Sequence, residues 1–201
     1  MPKIIWKGCS SAPYTPALQE LPPDAQKIQI PVRYYWLRAM LLAAPFYVPV
    51  VLSLYLKNHF LHCNIIDKGW LAMGLVIALL LGIVHEWLHC LPYPRQATAY
   101  IGILPKRFMA YMSCTAPLRR NNDLLSSLLP VVLGFIPWII FLLCPATARP
   151  LASLCWGCAV MGMVSPCPDY LYAYCVYKQV PPHGWIQAGA DGCYWYCRQS
   201  Q

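Results

Sequence analysis

The stretch GWLAMGLVIALLLGIVHEWLHCL, residues 69–91, carries no charged side chain from Gly69 to Val84 and then closes on two histidines and a glutamate. An apolar run of this length has few stable environments. At a helical rise of about 1.5 Å per residue, about 20 residues cross the roughly 30 Å hydrocarbon core of a bilayer. Three more runs match it: AMLLAAPFYVPVVLSLYL at 39–56, LLSSLLPVVLGFIPWIIFLLC at 124–144, and one that begins LASLCWGCAVMGMV at 151–164 and continues to about Tyr177. Charged residues make up only 11% of the chain, whereas soluble domains carry roughly 25%. The sequence therefore predicts an all-α membrane protein, a bundle of about four transmembrane helices with a small loop or hairpin element on the cytoplasmic side. Its 201 residues leave no room for two independent soluble domains.

The net charge of +8 invites a nucleic-acid reading, but the placement of the charges argues against it. Lys27, Arg33 and Arg38 precede the first run; Arg95, Lys106, Arg107, Arg119 and Arg120 lie between the second and third; Lys178 and Arg198 follow the fourth. The other two connections hold only Lys57 and Lys68 in one and Arg149 in the other. Basic loops stay on the cytoplasmic side, so the N-terminus, the 92–123 loop and the C-terminal tail share that side. Four spans place both termini together, in agreement. We expect a multi-pass cell-membrane protein whose partner is the bilayer, with no nucleic acid. Residues 1–38 form a cytoplasmic lead-in without the apolar core of a cleavable signal, 39–178 the membrane domain and 179–201 a cytoplasmic tail.

Local signals add detail. KIQIPV at 27–32 reads as a strand, as do ATAYIGIL at 97–104 and RFMAYMS at 107–113, which can pair as a hairpin beside the end of the second run. In SPCPDYLYAY, 165–174, Pro166 and Pro168 predict a break in the fourth run followed by a restarted helix. Most of the eleven cysteines fall in spans or on the cytoplasmic side, where they stay reduced and act as packing residues. The pair Cys155 and Cys158 has redox spacing but sits in an apolar helix, and Cys193 and Cys197 lack a partner pair for a metal site.

Chemistry concentrates in His85-Glu86-Trp87-Leu88-His89. Positions i and i+4 share one helix face, so both imidazoles can bind one metal ion. Glu86 can then reach a water at the metal's open position, the zincin arrangement of two histidines with a carboxylate as general base. A polar helix end is the bland alternative, yet ionisable groups in a spanning helix mark function more often than not. A catalytic zinc takes a third protein ligand. Counted from the outer ends of their spans at about 1.5 Å per residue, His85 lies roughly 24 Å down, His89 roughly 30 Å and Asp169 roughly 30 Å. Asp169 is therefore the favoured third ligand, although it would also suit the start of the restarted helix. Asp123 stands at a helix start, where an acid complements the dipole; Asp191 sits in a tail turn, and His183 in PPHGW is a fourth option. His59 and His62 lie on the outer side. Arg119, Arg120, Asn121 and Asn122 are on the catalytic side and are candidates for oxyanion or substrate contacts.

The segments HEWLHCLPYP (85–94), LLSSLLPVVLGFIP (124–137), the Asp169 region and HGWIQAGADGCYWY (183–196) together resemble a family of small bacterial membrane proteins described as zincin peptidases, a domain of unknown function. That family in turn resembles site-2-type intramembrane metalloproteases, in which HExxH on one span joins an aspartate on a later one. Tyr170 follows the aspartate here where that pattern has glycine. The resemblance implies zinc-dependent hydrolysis of a peptide or membrane-protein substrate, with one Zn2+ per chain. Two rivals stand beside it: a membrane metal-binding or metal-transport protein, which has no use for Glu86, and an inactive structural or assembly factor, which would tolerate loss of both histidines.

Overall fold

A computed structural model describes residues 1–18, 20–107 and 109–197. Arg198, counted above among the tail's basic residues, and Phe108, in the expected second strand of the hairpin, lie outside the described residues. In chain order the elements are β1 (Lys3–Cys9), β2 (Gln26–Lys27), α1 (Tyr35–Leu61), α2 (Lys68–Leu80), α3 (Gly82–Cys90), β3 (Thr98–Leu104), β4 (Met109–Ser113), β5 (Leu118–Arg119), α4 (Arg120–Leu128), α5 (Val132–Leu143), α6 (Arg149–Val164), α7 (Cys167–Gln179), β6 (Trp185–Gly189) and β7 (Gly192–Tyr196). Four helical stretches are long and apolar enough to cross a membrane: Tyr35–Leu61, Lys68–Cys90, Arg120–Leu143 and Arg149–Gln179. Leu81 interrupts the second, a short 3-10 turn at Leu129–Val131 the third, and Ser165–Pro166 the fourth. The expectation of a purely α-helical protein is corrected, because two β-sheets are present.

One compact unit comprises Tyr34–Leu81 and Pro130–Tyr170. Here α1, α2 and α5 pack on α6. Lipid tails are as apolar as leucine, so helices in a membrane associate through close packing at small residues. Gly74 shows this directly: a β-carbon there would stand 2.2 Å from the Leu154 carbonyl oxygen. The Cys158 thiol donates to the Gly74 carbonyl at 3.2 Å, so this cysteine packs and bonds within the helix pair. Pro45 and Pro49 each remove a backbone donor from α1, and in the next turn the Val50 carbonyl accepts from the Trp156 indole at 3.0 Å and the Ser53 hydroxyl at 2.6 Å. Large apolar side chains such as Leu52, Val76, Leu80, Ile136 and Leu143 remain exposed, as expected of surfaces that meet hydrocarbon.

The other unit comprises Met1–Arg33, Gly82–Leu129 and Leu171–Gln201. Its first sheet has the order β1-β3-β4. β3 and β4 form the expected antiparallel hairpin, with Tyr100 opposite Ser113 and Leu104 opposite Met109. Ala99 and Ile101 of β3, with Ala97 just before it, are buried in one cluster with Cys90 of α3 and Cys114. β1, unforeseen in the sequence reading, pairs parallel to the other edge of β3. The second sheet, β2-β7-β6-β5, is built largely from the tail. Its β6–β7 hairpin turns where Gly192 has φ +148°, a backbone state that favours glycine. The strand expected at 27–32 proves to be a two-residue pairing at Gln26–Lys27, extended by a bond from the Ile28 N–H to the Cys193 carbonyl. Pro31 explains the short run, since proline cannot donate to a ladder. β5 leads straight into α4, whose first residue donates its N–H to the Gly184 carbonyl at 2.9 Å.

Candidate metal centre

α3 brings His85 and His89 one turn apart on a common face. Their Nε2 atoms are 3.1 Å from each other and the rings stand nearly edge to face at 79°. The second nitrogen of His89, Nδ1, lies 2.7 Å from the carbonyl oxygen of Ser126 in α4. A carbonyl only accepts, so Nδ1 carries the proton and Nε2 presents a lone pair. That is the tautomer a metal requires, held by the same kind of outer contact that orients metal-bound histidines in general. Ser126 grips the same residue a second time, because its hydroxyl donates to the His89 carbonyl at 2.6 Å. His89 is 9% exposed, whereas His85 and Glu86 are half-buried. The Cys90 thiol donates to the Glu86 carbonyl at 3.3 Å, which adds a brace to the last turn.

Asp169 sits in the first turn of α7. The break before it is closed locally: the Asp169 and Tyr170 N–H groups both donate to the Pro166 carbonyl, at 2.9 and 3.1 Å, and the Tyr170 hydroxyl donates to the Met163 carbonyl. His85, His89 and Asp169 each offer one ligand atom, and these three atoms lie within 4.8 Å of one another. The donor set fits zinc. Two nitrogens on a tetrahedral ion with bonds of about 2.0–2.1 Å stand about 3.3 Å apart, close to the separation of the imidazoles here.

α4 is inside out by the standard of soluble proteins. Asp123, Ser126 and Ser127, at helical spacing, are buried, while Leu125 and Leu128 are exposed. This is the arrangement of a helix with hydrocarbon outside and a polar site within. Ser126 was missed in the sequence because LLSSLL reads as one apolar span. The available signal was the polar i, i+3, i+4 stripe within it.

The remaining candidates have other surroundings. Arg119 is exposed and lies 5.4 Å over the Trp185 ring. Arg120 donates to the Tyr177 carbonyl at 3.0 Å and stacks on that residue's ring. Asn121 and Asn122 are exposed on α4. Asp191 pairs with Lys27 at 2.5 Å, and His183 is exposed in a turn. Cys114 is buried, and that burial pushes its thiol up; it is no ready nucleophile. The described cysteines are all free.

The chain combines four helices long and apolar enough to cross a membrane with a cluster of two imidazoles and one carboxylate that could hold a metal ion. A family model described as "putative zincin peptidase" matches residues 78–183, more than half of the sequence, and the chain belongs to that family. No curated protein and no solved structure matches it.

Proposed function

We propose that this protein is a multi-pass membrane zinc metallopeptidase that hydrolyses peptide bonds near the cytoplasmic face, with both termini in the cytoplasm. The observation that carries the reading is the convergence of His85, His89 and Asp169 on a chain of the zincin family. These three residues hold the ion, with His89 fixed in the metal-binding tautomer by Ser126. Zinc, when bound, supplies Lewis acidity for hydrolysis. Glu86, next to His85 in sequence, takes one proton from the attacking water as its oxygen bonds to the scissile carbonyl carbon. It then passes that proton to the amine nitrogen as the C–N bond breaks. The exposed apolar faces of the helices suit a bilayer, and the basic loops set the orientation. The substrate class is a peptide or a membrane-protein segment.

The test is metal content by mass spectrometry on detergent-purified protein. Wild type is expected to carry about one zinc per chain, as a single tetrahedral site requires. His85→Ala should lose it and Asp169→Ala should hold it more weakly. Glu86→Gln should keep zinc while losing hydrolysis by at least about 100-fold, the usual range for a general base. A wild-type protein that cannot be loaded with zinc would sink the proposal. A Glu86→Gln variant with full function would point instead to metal binding or transport without hydrolysis.

A further inference from the structure

α4 opens on two arginines where helix physics favours an acid. Arg119 is the N-cap, with no side-chain cap bond, and Arg120 is the first residue. A helix N-terminus carries a partial positive charge, so cations placed there add to it instead of balancing it. The acid of the first turn, Asp123, is buried and offers no counter-charge at the surface. Lys178 of α7 brings a third cation to the same place: the Arg120 guanidinium donates to the Tyr177 carbonyl at 3.0 Å, one residue from that lysine. Among the described residues no carboxylate pairs with any of the three.

Each cation instead lies over an aromatic ring, Arg119 over Trp185 at 5.4 Å, Arg120 over Tyr177 at 5.0 Å and Lys178 over Tyr174 at 5.9 Å. A ring steadies a cation without neutralising it, so the cluster keeps its charge. Its place along the chain says what meets it. Arg120 is the first residue of the membrane-length stretch Arg120–Leu143, and Lys178 is the last but one of Arg149–Gln179. Further along α4 Leu125 and Leu128 are exposed, and on α7 so are Tyr174 and Tyr177. Exposed leucine, then exposed tyrosine, then cation is the order in which a bilayer passes from hydrocarbon to headgroup.

We propose that Arg119, Arg120 and Lys178 bind the phosphate of an anionic phospholipid headgroup, within the aromatic frame of Tyr174, Tyr177 and Trp185. The exposed leucines of α4 then meet the acyl chains, which neither a soluble phosphate nor an acidic peptide possesses. This face is the one proposed above as cytoplasmic, where anionic lipid is concentrated. The inference needs no zinc; it needs only that the two helical stretches end at a bilayer surface.

The experiment is native mass spectrometry of the full-length protein in neutral detergent, titrated with phosphatidylglycerol or with phosphatidylcholine of the same acyl chains. Wild type should hold phosphatidylglycerol about 10-fold or more tightly than phosphatidylcholine. A basic residue near an anionic surface contributes about fivefold in affinity. The double variant Arg119→Gln/Arg120→Gln should therefore weaken phosphatidylglycerol by about 25-fold and Lys178→Gln by about fivefold, with phosphatidylcholine unmoved. Arg119→Lys/Arg120→Lys, which keeps both charges, should stay within about threefold of wild type. Lys106→Gln/Arg107→Gln, which removes exposed cations away from the span ends, should match wild type. Lys178→Gln and the comparison of the two lipids on wild type decide the matter even if the double glutamine variant fails to fold. Equal affinity for the two lipids in wild type, or an equal loss in the Lys106/Arg107 control, overturns the proposal. Displacement of the lipid by millimolar inorganic phosphate would assign the cluster to a soluble anion, and displacement by a short polyglutamate peptide to an acidic protein segment; either also overturns it. Zinc content measured on the same samples tests the metallopeptidase reading separately.

Discussion

Ser126→Ala separates two jobs that one residue performs. The last four carbonyls of a helix have no partner within it. At the end of α3, the Leu88 carbonyl accepts from the Leu91 N–H and the Cys90 carbonyl from the Tyr93 N–H. The His89 carbonyl accepts from the Ser126 hydroxyl. Alanine removes that donor in a buried place where water does not easily replace it, and a buried carbonyl left without its partner costs about 1–3 kcal/mol. We expect a loss near the middle of that range, about 1–2 kcal/mol, or a fall of about 2–8 °C in the unfolding midpoint for a chain of this size. The contact that sets the His89 tautomer goes to the backbone carbonyl of residue 126, which alanine retains. Zinc affinity should therefore fall by less than about 10-fold, the lower bound for loss of an outer partner. The assay pairs thermal unfolding of the metal-free protein in detergent with chelator competition. Metal loss as complete as in His89→Ala, or an unfolding midpoint equal to wild type, would refute this division of labour.

Gly74→Ala should destabilise the helix pair α2–α6 by about 1–3 kcal/mol, the usual cost of overpacking, because its β-carbon would meet a backbone oxygen at 2.2 Å; thermal unfolding measures it. Cys9, Cys63 and Cys197 are exposed, and they test orientation: a membrane-impermeant maleimide on intact cells should label Cys63 and spare Cys9 and Cys197, and the opposite pattern would reverse the topology. The Lys27–Asp191 pair makes the tail hairpin sensitive to pH. Hydrogen bonds from Lys27 and then Tyr194 hold the Asp191 carboxyl below its usual range, and the Asp191 carboxylate holds the Lys27 ammonium above its own. The acid's contribution is present above the ordinary carboxylate pKa and is lost as pH falls through its lowered value; that of the lysine is lost as pH rises through its raised one. Hydrogen exchange at Gly192–Tyr196 should therefore quicken on acidification, relative to the intrinsic rate, in wild type and not in Asp191→Asn.

The helical part of the fold was legible because hydrocarbon imposes a length and a polarity that no soluble context demands. The β3–β4 hairpin was legible as two short strand-like runs that follow Pro92 and Pro94. β1 was not. KIIWKGC lacks clean alternation, and it pairs in parallel with a strand far along the chain, so no turn marks the partnership. The tail hairpin was hidden for a related reason. Its strands are rich in aromatics that also fit a membrane interface, and the Ala190–Asp191 turn reads equally well as a loop.

The site divides along the same line. HEWLH is legible because ligand spacing is a local property of one helix. Asp169 was picked out by counting rise along two spans, and the helix resumes within two residues of the break at Ser165–Pro166. The supporting residues follow no such count. Ser126 acts through its backbone carbonyl, a group that every residue possesses, so no side-chain type could have announced it. Its hydroxyl is visible only once the direction of burial on α4 is known. In water the apolar face of a helix turns inward and Leu125 and Leu128 would define the core. Here they are exposed while Asp123, Ser126 and Ser127 are buried. A polar stripe three and four residues apart inside a spanning segment is therefore the pattern to seek in chains of this kind, since in hydrocarbon such a stripe has to face protein.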